Sequence, residues 1–448
     1  MRSGISAGLL AALAAASASG HVTITSPADD GAGSLREAIA KANADASVTQ
    51  IHVGRGVGTI TLDSALTYTG TQPLTLSGEG VTIRAADAFA GDGLIVSSGD
   101  ADLTLVEITL DGAFADGKTA ANGVYIPVGP DASGMLAVTL DRVTLINHGL
   151  FGLHVADQLH DSPAGIRLTV NETSVTNCGI GALDYDGIRV DEGGPGDIDA
   201  DIENTAIDAN GGDGLELDER GPGSVLAEID DTTFDDNGFF NEEDLDDGFD
   251  IDEQGPGDIK ASLEDVTLNG NLDEGLDFDE EDAGDIDVAL EDVAANGSTD
   301  EGIKFNEEGP GGIAADFEDV DASGNGDDGI ELDESGDGPI DADFEDVTAF
   351  GNGRDGVLLL ESGEGGIAGK LEDFVASNND GSGLTMIADD AGTLDASLRR
   401  ASFVSNTDYG VYARQDAPPP GRLTTRRLRT HGNGEGDFEL DNVERVEQ

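Results

Sequence analysis

Between residues 187 and 382, apolar and polar side chains alternate in short runs, with a period of two rather than 3.6. The runs are paced by glycines at Gly187, Gly214, Gly248, Gly275, Gly302, Gly329, Gly356, Gly383 and Gly410. Each step is 27 residues except Gly214 to Gly248, which is 34. One and three positions after the glycine stand Ile188 and Val190, Leu215 and Leu217, Phe249 and Ile251, Leu276 and Phe278, Ile303 and Phe305, and Ile330 and Leu332. A second run alternates as Ile198, Ala200, Ile202; Ile259, Ala261, Leu263; Ile313, Ala315, Phe317; Ile340, Ala342, Phe344. A third, shorter run carries Val266 and Leu268, Val293 and Ala295, or Val347 and Ala349. Alternation bounded by turn residues predicts three short strands per repeat. Repeats of this length predict coils of a β-solenoid, in which inward residues stack on the same positions of the next coil.

Counting 23 residues on from each glycine gives Asn210, Asn237, Asn271, Ser298, Asn325, Asn352, Asn379, Asn406 and Asn433. Eight of the nine are asparagine, which sets the register. Asparagines at one turn of successive coils are expected to hydrogen-bond along the stack. The seven additional residues of the long step, around 239–245, read as a loop inserted in one coil.

Toward the N-terminus the pattern loosens. Gly93, Gly123 and Gly152 precede Leu94, Val124 and Leu153, while Leu103-Leu105, Leu136-Val138-Leu140 and Ile166-Leu168-Val170 fit second strands. Ahead of them, Ser34 and Glu37 are spaced as a capping box, and Leu35, Ala38, Ile39 and Ala42 form one apolar helical face. That helix, near 34–44, suits the polar cap that an open solenoid end requires. Residues 1–20 combine Arg2, an apolar run from Gly8 to Ala16 and the small residues Ala16-Ser17-Ala18, the pattern of a secretory signal peptide. The organisation expected is a signal peptide over 1–20, a cap and first coils over 21–92, irregular coils over 93–186, regular acidic coils over 187–382 and basic closing coils over 383–448. Export to the cell surface, the extracellular space or the periplasm follows from the leader. No second apolar run or terminal anchor is present, so no membrane span is expected.

The segment GSLREAIAKAN followed by stacked coils resembles the secreted right-handed parallel β-helix proteins of the pectin-lyase-like superfamily. The resemblance extends over roughly residues 21 to 440. It implies an all-β fold, a single right-handed parallel β-helix. It does not select an activity, because that superfamily spans lyases, hydrolases, epimerases and adhesins.

Charge sharpens the functional question. Asp and Glu number 93 against 22 Lys and Arg, for a formal net charge of −71. The field repels phosphate, which argues against nucleic acid and anionic membrane partners. If odd strand positions point inward, even ones form outward columns. One column runs Arg189, Glu216, Asp250, Asp277, Lys304, Glu331; the next runs Asp191, Asp218, Asp252, Asp279, Asn306, Asp333. Two unit charges about 4.8 Å apart repel by roughly 1 kcal/mol even in bulk water. Salt adaptation of a halophilic surface is one explanation. Calcium is the other: Glu216, Asp218, Asp250, Asp252, Asp277, Asp279, Glu331 and Asp333 are candidate oxygen ligands for a hard cation of flexible coordination. No organic cofactor is expected.

In lyases of the resembled superfamily, an Arg or Lys beside Ca²⁺-binding acids removes a sugar proton. The catalytic candidates on that pattern are Arg189 and Lys304, and each reads more readily as an ion-pair partner that relieves the acidic columns. The motifs of polygalacturonase-like and mannuronan epimerase members are absent from the sequence. The leading expectation is a structural or adhesin-like binding module stabilised by cations, with a polysaccharide or cell-surface polymer as partner. A Ca²⁺-dependent polysaccharide lyase is the alternative. Arg399, Arg400, Arg414, Arg422, Arg426, Arg427 and Arg429 crowd the last coils, reading as a basic cap or as a surface for self-association with acidic coils.

Overall fold

A computed structural model describes residues 20–99, 101–115, 118–158, 162–181, 185–240 and 246–448. Residues 1–19 of the expected leader and 241–245 of the insert lie outside the described residues. The described chain is a single parallel β-helix. In each coil a first strand such as Ile330–Glu334 pairs in parallel with its equivalents, Ile303–Glu307 before it and Val357–Gly363 after it. The second strand, Pro339–Glu345, pairs with Ile313–Glu318 and Gly366–Glu372. The short third strand, Thr348–Phe350, pairs with Val375–Ser377. Among the described residues, no helix is long and apolar enough to cross a membrane.

The period-two pattern positions the core. The residues one and three places after each pacing glycine are fully buried, from Ile188 and Val190 to Ile330 and Leu332. Eight phenylalanines run through the interior from Phe234 to Phe403, each ring centroid 4.6–6.3 Å from the next. Offset or edge-on contacts at such distances add about 0.5–1.5 kcal/mol per pair beyond area burial. The helix spans Leu35–Ala44 and buries Leu35, Ala38, Ile39 and Ala42. Ser34 accepts the Glu37 N–H at 3.2 Å, while Glu37 reaches past Ser34 to the Gly33 N–H at 2.7 Å. The capping box is thus closed one residue early.

Three details differ from the sequence expectation. The third strand shrinks to a single parallel bridge at Thr233, Thr267, Ala294 and Asp321. On one side Asp265, Asp292 and Asp319 adopt φ of 54°, a left-handed conformation that Asp tolerates better than most residues. The partner of Val124 in the preceding first strand is Ile95, not Leu94, a slip of one position in the irregular coils. The acidity of the strand is also not all outward. Parity places the fifth residue after each glycine inside, and Glu192, Glu219, Glu253, Glu280, Glu307, Glu334 and Glu361 are all fully buried.

The asparagine turn is a hydrogen-bonded ladder. Asn352 Oδ1 accepts the Asn325 N–H at 3.0 Å, and Asn352 Nδ2 donates to the Ala322 carbonyl at 3.0 Å. The same pair of bonds recurs at Asn210, Asn237, Asn379, Asn406 and Asn433. Asn325 also makes both, to the Ser298 N–H and the Ala295 carbonyl. Asn271 accepts from the Asn237 N–H, but its Nδ2 has no partner, and the next rung is Ser298, whose hydroxyl has none either. Two residues continue the ladder toward the N-terminus. The Cys178 N–H donates to Asn210 Oδ1, and His148 Nε2 contacts the Leu110 carbonyl at 3.1 Å. Burial pushes the Cys178 thiol up to about 12 and the His148 imidazole down to about 4, so neither is poised for chemistry.

Candidate cation-binding site

The densest carboxylates flank the corner where each first strand begins. The glycine there is obligatory, because the next coil lies against it. A Cβ on Gly214 would fall 2.5 Å from the Gly248 carbonyl oxygen. The residue just before the glycine is Asp186, Asp213, Asp247, Glu274, Glu301, Asp328 or Asp355 in successive coils. One oxygen of Asp186 accepts the Asp213 N–H at 3.0 Å. Asp213 accepts the Asp247 N–H, and Asp247 accepts the Glu274 N–H at 2.8 Å. The corner acids therefore stack in file, with Asp186, Asp213, Asp247, Asp328 and Asp355 each tied by one oxygen to the backbone of the next coil.

This file supplies groups of three carboxylates whose nearest oxygens lie within 4.8 Å of one another: Asp186, Asp213 and Asp246; Asp247, Asp273 and Glu274; Glu274, Asp300 and Glu301. Burial, then the charges of Asp186 and Asp246, hold Asp213 well above the usual carboxylate range. Burial followed by Asp213, Glu274 and Asp277 does the same to Asp247. Asp273 is pushed up to about 7 by burial and Glu274, and Glu301 to about 9 by burial and Asp300. Sequence reasoning missed the corner file. Its signal was visible, an acid before the pacing glycine in seven consecutive coils.

The candidate ligands from the outward columns divide. Glu216, Asp250 and Asp252 do converge within 4.8 Å. Glu216, however, already meets Arg189. Asp218 is fully buried and held by Arg189 at 3.1 Å, Arg220 at 2.6 Å and Gln158 at 2.7 Å. Asp277 is held by Lys304 at 2.9 Å. Asp279 is half-buried, and burial raises its carboxyl above the usual range against the lowering effects of Lys304 and Asn306. Glu331 and Asp333 lie two coils beyond Asp277 and Asp279 in the parallel register, with Lys304 and Asn306 between. Burial and Glu331 push Asp333 up to about 6.

The two basic candidates bracket Glu216, Asp250 and Asp277 in one outward column. Arg189 bonds Asp191 at 2.7 Å as well as Glu216 and Asp218. Lys304 bonds Glu274 at 2.7 Å and Asp277 at 2.9 Å. Burial would lower both pKa values, but the surrounding carboxylates raise each above its ordinary value. A base must shed its proton near the working pH, and these groups are driven the other way. Beside Arg189, His154 bonds Asp191 at 2.7 Å and packs on Phe151 and Tyr125, with ring centroids 4.3 and 5.5 Å away. Tyr185 meets Phe151 edge-on at 4.9 Å. The fold thus gathers an aromatic cluster at one end of the acidic stretch that no sequence motif announced.

No family model matches the chain, and no curated protein matches it. Among solved structures, the Azotobacter vinelandii mannuronan C-5 epimerase AlgE4 A-module is 15% identical, with 92% of each chain covered and a TM-score of 0.43. The periplasmic alginate epimerase AlgG is 11% identical over 89% of this chain and 75% of its own, with a TM-score of 0.39. The catalytic domain of a GH87 α-1,3-glucanase is 10% identical over 93% and 66%, with a TM-score of 0.43. These are overlaps of coil upon coil and assign no activity to this chain.

Proposed function

We propose that this chain is an exported β-helix rod that binds polysaccharide through divalent cations held in its corner carboxylate file, with Ca²⁺ as the best chemical match. The observation carrying the reading is the corner file itself, three trios of carboxylates with oxygens within 4.8 Å and a centre, Asp247, whose strongest charged neighbours are all acids. A flexible array of carboxylate and backbone oxygens suits Ca²⁺ better than Mg²⁺, which demands a tighter octahedron. A cation there would offset like charges and leave open positions for hydroxyl or carboxylate oxygens of a polymer. The aromatic cluster of Tyr125, Phe151 and Tyr185 supplies an apolar face beside it. Binding is favoured over lyase chemistry because Arg189 and Lys304 are both committed to ion pairs. The test is calorimetric titration of Ca²⁺ into chelator-treated protein at fixed ionic strength, followed by retention on alginate and pectate columns. Saturable binding weakened at least tenfold in the double variant Asp213→Asn, Asp247→Asn supports the reading. Absence of Ca²⁺ binding in the wild-type chain would sink it.

A further inference from the structure

We propose that the seven interior glutamates Glu192, Glu219, Glu253, Glu280, Glu307, Glu334 and Glu361 form a chain of hydrogen-bonded carboxylic acids that retains a proton in each link between neighbours. They occupy one register position of seven consecutive first strands, each paired with the next. All are fully buried. One oxygen closes the turn that follows. Gly194, Gly221, Gly309 and Gly363 donate their N–H groups to Glu192, Glu219, Glu307 and Glu361 at 2.8–3.0 Å. Glu334 accepts from both Gly336 and Gly338. The other oxygen of each residue is buried with no donor, and in Glu253 neither oxygen has one.

Parallel stacking at about 4.8 Å sets the free oxygen of one residue against the carboxyl of the next. An ionised carboxylate only accepts, whereas a protonated one also donates a single O–H. Two facing acceptors are satisfied by one proton between them. A hard cation in the same gap would need about six to eight oxygens, and each link presents the oxygens of only two side chains.

The ends of the column support this. At the C-terminal end Glu361 pairs with Ala388, and Ala388 with Gln415. Gln415 is the neutral isostere of glutamate, and it brings its own donors, bonding the Ala417 and Pro419 carbonyls at 2.6 and 2.7 Å. At the other end Asp157 bonds the Asp191 carbonyl through its N–H, one register step before Glu192, and takes the Ser162 hydroxyl at 2.6 Å. The charged groups facing the column include Asp157, Asp282, Asp333, Asp389 and the glutamates themselves. Burial first, then these neighbours, pushes Glu192, Glu219 and Glu253 up to about 8, Glu307 to about 9 and Glu361 to about 7.

The test uses the full chain in excess chelator, so that corner cations are absent. Infrared spectra of the wild type at pH 7 should show the C=O band of un-ionised carboxyl groups, diminished in Glu307→Gln. Glu307→Gln should raise the melting midpoint over wild type at pH 9 and leave it unchanged at pH 5. The exposed neighbour variant Glu308→Gln should shift neither. A wild type with no un-ionised carboxyl band at pH 7 overturns the proposal, whatever the variants do. So does an equal loss of midpoint in Glu307→Gln at both pH values.

Discussion

A Cβ on Gly329 would lie 2.5 Å from Asn352 Nδ2 and 2.5 Å from the Gly356 carbonyl oxygen. The glycine and asparagine that recur 23 apart in all but one of the regular coils thus touch across the coil boundary. The asparagine reaches back to bond the preceding coil, and only a residue without a side chain leaves room for it. Gly329→Ala should cost about 1–3 kcal/mol, the usual penalty for overpacking a tight site. Gly369→Ala, where the nearest atom would be 3.7 Å away, should be close to neutral. Thermal melting of both variants checks the contrast.

The broken rung offers a gain. Ser298 leaves its own hydroxyl and Asn271 Nδ2 without partners. Ser298→Asn should restore both bonds of the ladder and stabilise the chain by about 1 kcal/mol. Asn352→Ala should do the reverse. It strands the buried Asn325 N–H and Ala322 carbonyl at a cost of about 2–4 kcal/mol. Denaturant midpoints measured for the two variants should move in opposite directions.

Cation removal should make stability depend on pH with a definite sign. Folded-state values are raised to about 7 for Asp273, 8 for Asp328 and 9 for Glu301, against about 4 in an unfolded chain. Raised carboxyl groups favour the folded state when protonated. Their contribution is complete below about pH 4 and is lost as pH rises toward 9. Chelator-treated protein should therefore melt at falling temperatures between pH 5 and pH 9. Millimolar Ca²⁺ at matched ionic strength should flatten that slope. Identical pH profiles with and without Ca²⁺ would count against the corner site.

Lys304 should matter for stability and not for turnover. Lys304→Met removes the cation from Glu274 and Asp277 and leaves two buried carboxylates facing each other. Up to about 3 kcal/mol of destabilisation is expected, toward the low end because the lysine is still partly solvated. Incubation of the wild type with pectate or alginate should yield no unsaturated products by absorbance. Product formation abolished in Lys304→Met would instead establish the lyase reading.

Much of this molecule was legible in one dimension. Parity along the strands names the core, because in a β-strand side-chain direction is a property of position alone. The 27-residue register names the ladder, because identical coils must superpose. The capping helix is legible for the same reason, with Ser34 and the spacing of Leu35, Ala38, Ile39 and Ala42 each read locally. What sequence did not settle was the environment of each charge. Glu307 and Glu308 are neighbours of one chemistry, yet one is sealed in the interior and the other faces water. Asp218 and Asp247 are both strand-face or corner acids, yet arginines hold the first while acids surround the second. Local pattern determined the coil, its core and its register. Tertiary stacking alone decided which carboxylates meet a cation, a backbone N–H or one another, because that depends on what the coils above and below place within a few ångströms.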